Sequence, residues 1–162
     1  MGDLEEGFEI PEEWYAGFDR ETGKVVTIDD ETMRVASDAE DQGLKIEEMD
    51  TDSEIIAQML PLAWAIVSDL KNKRFIELPS KWNFHEYRRM EEFIETLPAG
   101  RAQERLWSAI SRKGAFRRFK DEAHRLDVID AWYDFRQTAM RRLLRDWAEN
   151  HGLALVEKSP EA

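Results

Sequence analysis

The chain of 162 residues contains no cysteine, which excludes a disulfide framework, a thiolate nucleophile and cysteine-ligated zinc. Histidine is scarce. Of the three present, His85 with Glu86 matches the start of the zinc-protease pattern HExxH, but Arg89 stands where the second ligand belongs. His124 and His151 share no otherwise apolar face with a second ligand. There is no glycine-rich phosphate loop, nucleophile elbow or EF-hand loop, and no internal repeat. Adjacent acidic pairs such as Asp29-Asp30 and Glu91-Glu92 point apart on any regular element, so nothing demands paired-carboxylate hydrolysis. Long hydrophobic runs are also missing. The longest, residues 59–67, falls far short of the roughly 20 residues of a membrane span. The opening MGDLEEGFEI is acidic where a signal peptide is basic. The expectation is a soluble cytoplasmic protein with no membrane contact, no metal, no cofactor and no catalytic residue.

What the chain does have is aromatic and charged. Six Trp, eight Phe and three Tyr within 42% hydrophobic residues give a chain able to build a core. The net charge of −12 is unevenly spread. Residues 1–60 carry 19 acidic and 4 basic side chains, whereas residues 101–145 carry 12 basic and 6 acidic ones. An acidic N-terminal third thus precedes a locally basic C-terminal half.

Periodicity and turn chemistry predict one α+β domain over 1–162, with a small antiparallel sheet packed with four or five helices. A hairpin within 8–30 pairs Trp14–Asp19 with the β-branched run Lys24–Ile28 across a turn containing Gly23. Residues 29–53 hold no clear apolar period, and with nine acidic residues between 29 and 50 they read as an acidic loop. Residues 54–156 read as the helical part with short strands. Thr51 and Glu54 suggest a capping box before a buried helix, which Pro61 is expected to kink or split. Arg74–Leu78 reads as a strand. Asn83 with Glu86 suggests the next capping box, with Trp82 and Tyr87 as a hydrophobic staple. Helices follow over about 101–112, from about Phe116, and over about 129–150, with Leu153–Val156 as a short returning strand and 157–162 as a frayed tail. The predicted core includes Ile66, Met90, Ile94, Phe116, Phe119, Trp132 and Leu143.

Two groups of residues stand out. Arg136 falls inside the apolar stripe of the last helix, where Trp132 and Met140 cannot neutralise it. A guanidinium there needs a carboxylate from elsewhere, and Glu86 is one candidate, although the capping box competes for it; the alternative is an arginine that snorkels at the helix rim. The second group is the basic string Arg112, Lys113, Arg117, Arg118 and Lys120, at a helix–glycine turn–helix junction. Guanidinium groups and the free amides of a helix start both favour anions, so these residues suit nucleic acid or another anion. The competing interpretation is a solvated helix face, with Arg118–Glu122 and Asp121–Arg125 as i,i+4 pairs.

The segments FDRETGKVV (18–26), LPSKWNFHEYRRMEEFI (78–94), KGAFRRFKD (113–121) and WYDFR (132–136) resemble a family of bacterial and archaeal proteins of unknown function that shares the KGAFRRFKD motif. The resemblance spans roughly residues 8–153 and implies a single folded prokaryotic domain, with no activity, cofactor or catalytic residue to carry over. That family often has Gly at the place of Arg112, which argues against the turn being a phosphate-binding glycine loop. The leading expectation is a non-enzymatic interaction or regulatory module that binds another protein. Nucleic-acid or anion binding through 112–120 is the alternative, and an enzyme without a recognisable motif is the third.

Overall fold

A computed structural model describes residues 1–155. The expected frayed tail, 157–162, lies outside them. The fold is α+β, with a small antiparallel sheet and a majority of helix. Packing divides the described residues into two compact units, Met1–Leu78 and 79–155, each with its own core.

In the first unit, β1 (Tyr15–Asp19) and β2 (Lys24–Ile28) form the expected hairpin, and β3 (Phe75–Glu77) joins the other side of β1, giving the antiparallel order β2-β1-β3. The register pairs Tyr15 with Ile28 and Phe18 with Ile76. Asp19 is 2% exposed and ties the sheet together. Its carboxylate accepts from the Glu21 amide, the Thr22 hydroxyl and both Nε and Nη2 of Arg74, the last two at 3.0 Å. The Arg74 guanidinium beside it, helped by those donors, holds the Asp19 carboxyl down at about 2. Asp69 accepts from the amides of Lys73, Arg74 and Phe75, so the turn into β3 is closed by one side chain. These amide donors, that of Phe75 foremost, lower its pKa.

The acidic segment is the main correction. Residues 29–53 are not a loop: α2 (Asp30–Asp41) occupies half of them, and a 3-10 turn follows at Ile46–Glu48. Asp29 caps α2 by accepting from the Thr32 amide at 2.9 Å and its hydroxyl at 2.7 Å. Burial works against ionisation of Asp29, but these bonds outweigh it and lower its pKa. Asp30 and Glu31 sit favourably in the first turn of the helix dipole. The buried face is Thr32, Ala36 and Ala39, spaced four and three. Such small side chains give almost no hydrophobic signal, yet they admit a neighbouring helix closely. That neighbour is α3 (Glu54–Val67), which buries Ile56, Leu60, Ala63 and Ile66. Ser53, not Thr51, caps α3, and the helix runs unbroken through the exposed Pro61. A further short helix, α1 (Gly2–Phe8), buries Leu4 and Phe8. A Cβ on Gly7 would stand 2.8 Å from Val25 Cγ1, so glycine permits that approach.

The second unit is helical: α4 (Lys81–Phe84), α5 (Glu86–Thr96), α6 (Arg101–Ile110), α7 (Ala115–Arg125) and α8 (Ile129–Asn150). With α1 and α2, this exceeds the four or five helices expected. Asn83 does not start the helix that the sequence suggests. Ser80 caps α4, Asn83 answers it from the third position, and His85 in the left-handed region separates α4 from α5. Trp82 is 76% exposed, so the staple is not made. Residues 153–155 form no strand. The core is aromatic, with Phe93, Phe119 and Trp132 in edge-on contact at centroid distances of 4.9–6.1 Å.

Ile66, Met90, Ile94, Phe119 and Trp132 are buried as expected, but Phe116 and Leu143 are not. Leu144 is buried and Leu143 only half so, because two adjacent leucines about 100° apart compete for one face. Phe116 is 50% exposed because the inward face of α7 turns towards Glu122, about 60° to the other side of Phe119.

Freed from capping, Glu86 meets Arg136: Nε to Oε1 is 2.6 Å and Nη2 to Oε2 is 3.2 Å, a two-pronged pair joining α5 to α8. Arg136 sits squarely on the buried stripe of α8, between Trp132 and Met140, and also lies 5.5 Å from the Phe84 ring centroid. Both partners retain about a fifth of their exposure. Arg136→Met should therefore cost about 1–3 kcal/mol, the range for a charge-assisted bond. An unchanged denaturant midpoint would show the pair to be energetically idle.

Candidate anion-binding site

Facing stripes of α6 and α7 build a cleft of about 610 Å³. Arg105, Ser108, Ala109 and Arg112 recur at i, i+3, i+4 and i+7 along α6 and its end. Gly114, Arg117, Arg118, Asp121, Glu122 and Arg125 continue the same period along α7. Lys113 lines the turn between them. Six cationic side chains thus face two carboxylates.

The turn depends on Gly114, whose φ of +79° lies in the left-handed region where a side chain is strained. No side chain caps the start of α7. Arg118 instead folds back over the turn, its Nε donating to the Lys113 carbonyl at 3.1 Å. It does not pair with Glu122, as the i,i+4 interpretation expects.

Glu122 is 9% exposed and lies between two arginines. Arg105 reaches Oε1 from α6, and Arg125 Nη1 donates to Oε2 at 3.3 Å from within α7. One buried carboxylate therefore fixes two guanidinium groups at the cleft wall. Arg117 and Asp121 approach only to 4.0 Å on an exposed surface, a contact worth little in water. Arg112 and Lys113 are exposed, with no carboxylate partner among the described residues.

Of the five basic residues singled out in the sequence, Arg112, Lys113, Arg117 and Arg118 come together here. Lys120 does not, because it lies on the Phe116 side of α7, about 40° from that ring. Arg105 and Arg125 were missed. Their signal is periodic, since each keeps helical spacing with a basic residue nearer the turn, and a contiguous string conceals it. The three histidines take no part, and among the described residues no His, Asp and Glu group is arranged to hold a metal. No helix among those residues is long and apolar enough to cross a membrane.

No protein-family model matches the chain, and neither the curated proteins nor the solved structures contain a match to it.

Proposed function

We propose that this chain is a non-enzymatic binding module that takes a phosphate-bearing polyanion in the α6–α7 cleft. The observation that carries this reading is the surplus of four cationic side chains around a single concave site. Guanidinium forks match phosphate oxygens in pairs, and a concave basic surface concentrates anions. The net charge of −12 opposes such a ligand at long range. Screening over about 8 Å at physiological salt leaves the local field of the cleft in control.

The test is the anisotropy of a labelled DNA duplex titrated across salt concentrations. A surplus of four cations predicts a log–log slope of about −3 to −4, at roughly −0.9 for each phosphate neutralised. The double variant Arg112→Ala/Lys113→Ala should weaken binding and make the slope shallower by about 1–2. Both side chains are exposed, so its melting temperature should match that of the parent. Absence of binding at low salt to both the duplex and inorganic polyphosphate defeats the reading.

A further inference from the structure

We propose that the cleft reads phosphate alone, so that it binds a run of phosphates without regard to any base attached to them. This rests on the phosphate-cleft reading and adds the chemical class that the site selects. Nucleobases are held by stacking on aromatic rings or free guanidinium planes, or by side chains entering a groove to reach base edges. No ring lines the cleft among the described residues, and three of its guanidinium groups are already engaged, Arg105 and Arg125 by Glu122 and Arg118 by the Lys113 carbonyl. Among the described residues its only uncharged lining is Ser108, Ala109 and Gly114. The one exposed aromatic of α7, Phe116, projects from the opposite side of that helix, away from Arg118, Asp121 and Arg125. The surface is also concave where a groove reader is convex. Base edges lie roughly 8.5 Å deep in the major groove, below the ridges of phosphate that a hollow would meet first.

The chemistry that remains is a succession of phosphates, and two sources supply it: the backbone of a nucleic acid and inorganic polyphosphate. Glu122 forms an ion pair with Arg105 from α6 and accepts from Arg125 on its own helix, so one buried carboxylate contacts both guanidinium groups at the cleft wall. Arg112 and Lys113, exposed at the turn, line the same cleft with no carboxylate partner among the described residues.

The experiment uses the full chain at low salt, with labelled poly-dA, poly-dT and poly-dC strands, and unlabelled inorganic polyphosphate as competitor. The three strands should bind within about twofold of one another, since one favoured stacked base would separate them by about tenfold. Polyphosphate should displace them all, and Arg112→Ala/Lys113→Ala should weaken every probe alike. Direct titration then separates the sources: polyphosphate binding tighter than every strand identifies the free polymer, and strands binding tighter than polyphosphate, yet still displaced by it in excess, identify nucleic acid. Strands that bind through the cleft with a tenfold base preference, or that polyphosphate cannot displace, overturn the inference while leaving the phosphate cleft standing. If no probe binds, the phosphate cleft itself fails.

Discussion

Phe119→Ala is expected to destabilise the second unit by about 3–5 kcal/mol, the range for removing a buried aromatic ring. Phe119 is fully buried, with Phe93 and Trp132 edge-on against it. Truncation leaves a cavity between two rings that are themselves fixed by packing, so the gap cannot close cheaply. The same change at Phe116 should cost under about 1 kcal/mol, since half of that ring already faces water. Urea denaturation of the two variants measures the contrast directly. Equal losses would mean that the inward face of α7 is centred on Phe116 and not on Glu122.

Asp19→Ala should cost the first unit about 2–3 kcal/mol, because it removes a buried carboxylate from its donors, while the Arg74 left behind keeps Glu21 and partial access to water. The loss reaches further than one pair. Asp19 closes the β1–β2 turn through Glu21 and Thr22 and, through Arg74, secures β3, which lies 55 residues along the chain. Its pH dependence has a definite sign. The folded carboxyl is held at about 2, below its ordinary value, so the folded state favours the ionised form. The stability gained is full above about pH 5 and is lost as pH falls through the folded pKa. The difference in unfolding free energy between the parent and Asp19→Asn should therefore be flat from neutral pH down to about 5 and shrink steadily towards pH 2. A difference that grows on acidification would contradict the ion pair. Asp29 and Asp69, both lowered in the folded state, add to the same acid sensitivity.

The sheet and several helices were legible in the sequence because their signals are local. The β-branched run at 24–28 and the turn at Gly23 define a hairpin wherever they occur. Tyr87, Met90, Ile94 and Leu97 likewise mark a helix by spacing alone. Arg136 was legible for a different reason: a guanidinium on an apolar stripe requires a partner, and Glu86 is that partner. What stayed hidden depends on contacts distant in sequence. The buried face of α2 is made of Thr32, Ala36 and Ala39, which only the closeness of α3 makes visible. Glu122 looks like an outward acid until Arg105 reaches it from another helix. The cleft was half legible. Its basic string is plain, but which of its members face one another follows from the pairing of two helices, and that pairing removes Lys120 and adds Arg105 and Arg125.

The order β2-β1-β3 leaves the outer edge of β2 without a strand partner among the described residues. An open edge of Lys24–Ile28, β-branched at four of its five positions, is a template onto which another extended chain could zip. Only one cation, Lys24, interrupts it, so what keeps molecules apart at neutral pH is the charge around it: 19 acidic against 4 basic side chains in residues 1–60. That protection is colloidal, and it weakens as pH falls towards the isoelectric point near 4.8, where the net charge of the whole chain reaches zero. Light scattering should rise there before ellipticity falls. A proline at Val26, whose amide would then be missing from the sheet, is the wrong remedy, whereas a second lysine at Thr27 would blunt the edge without touching the hairpin turn.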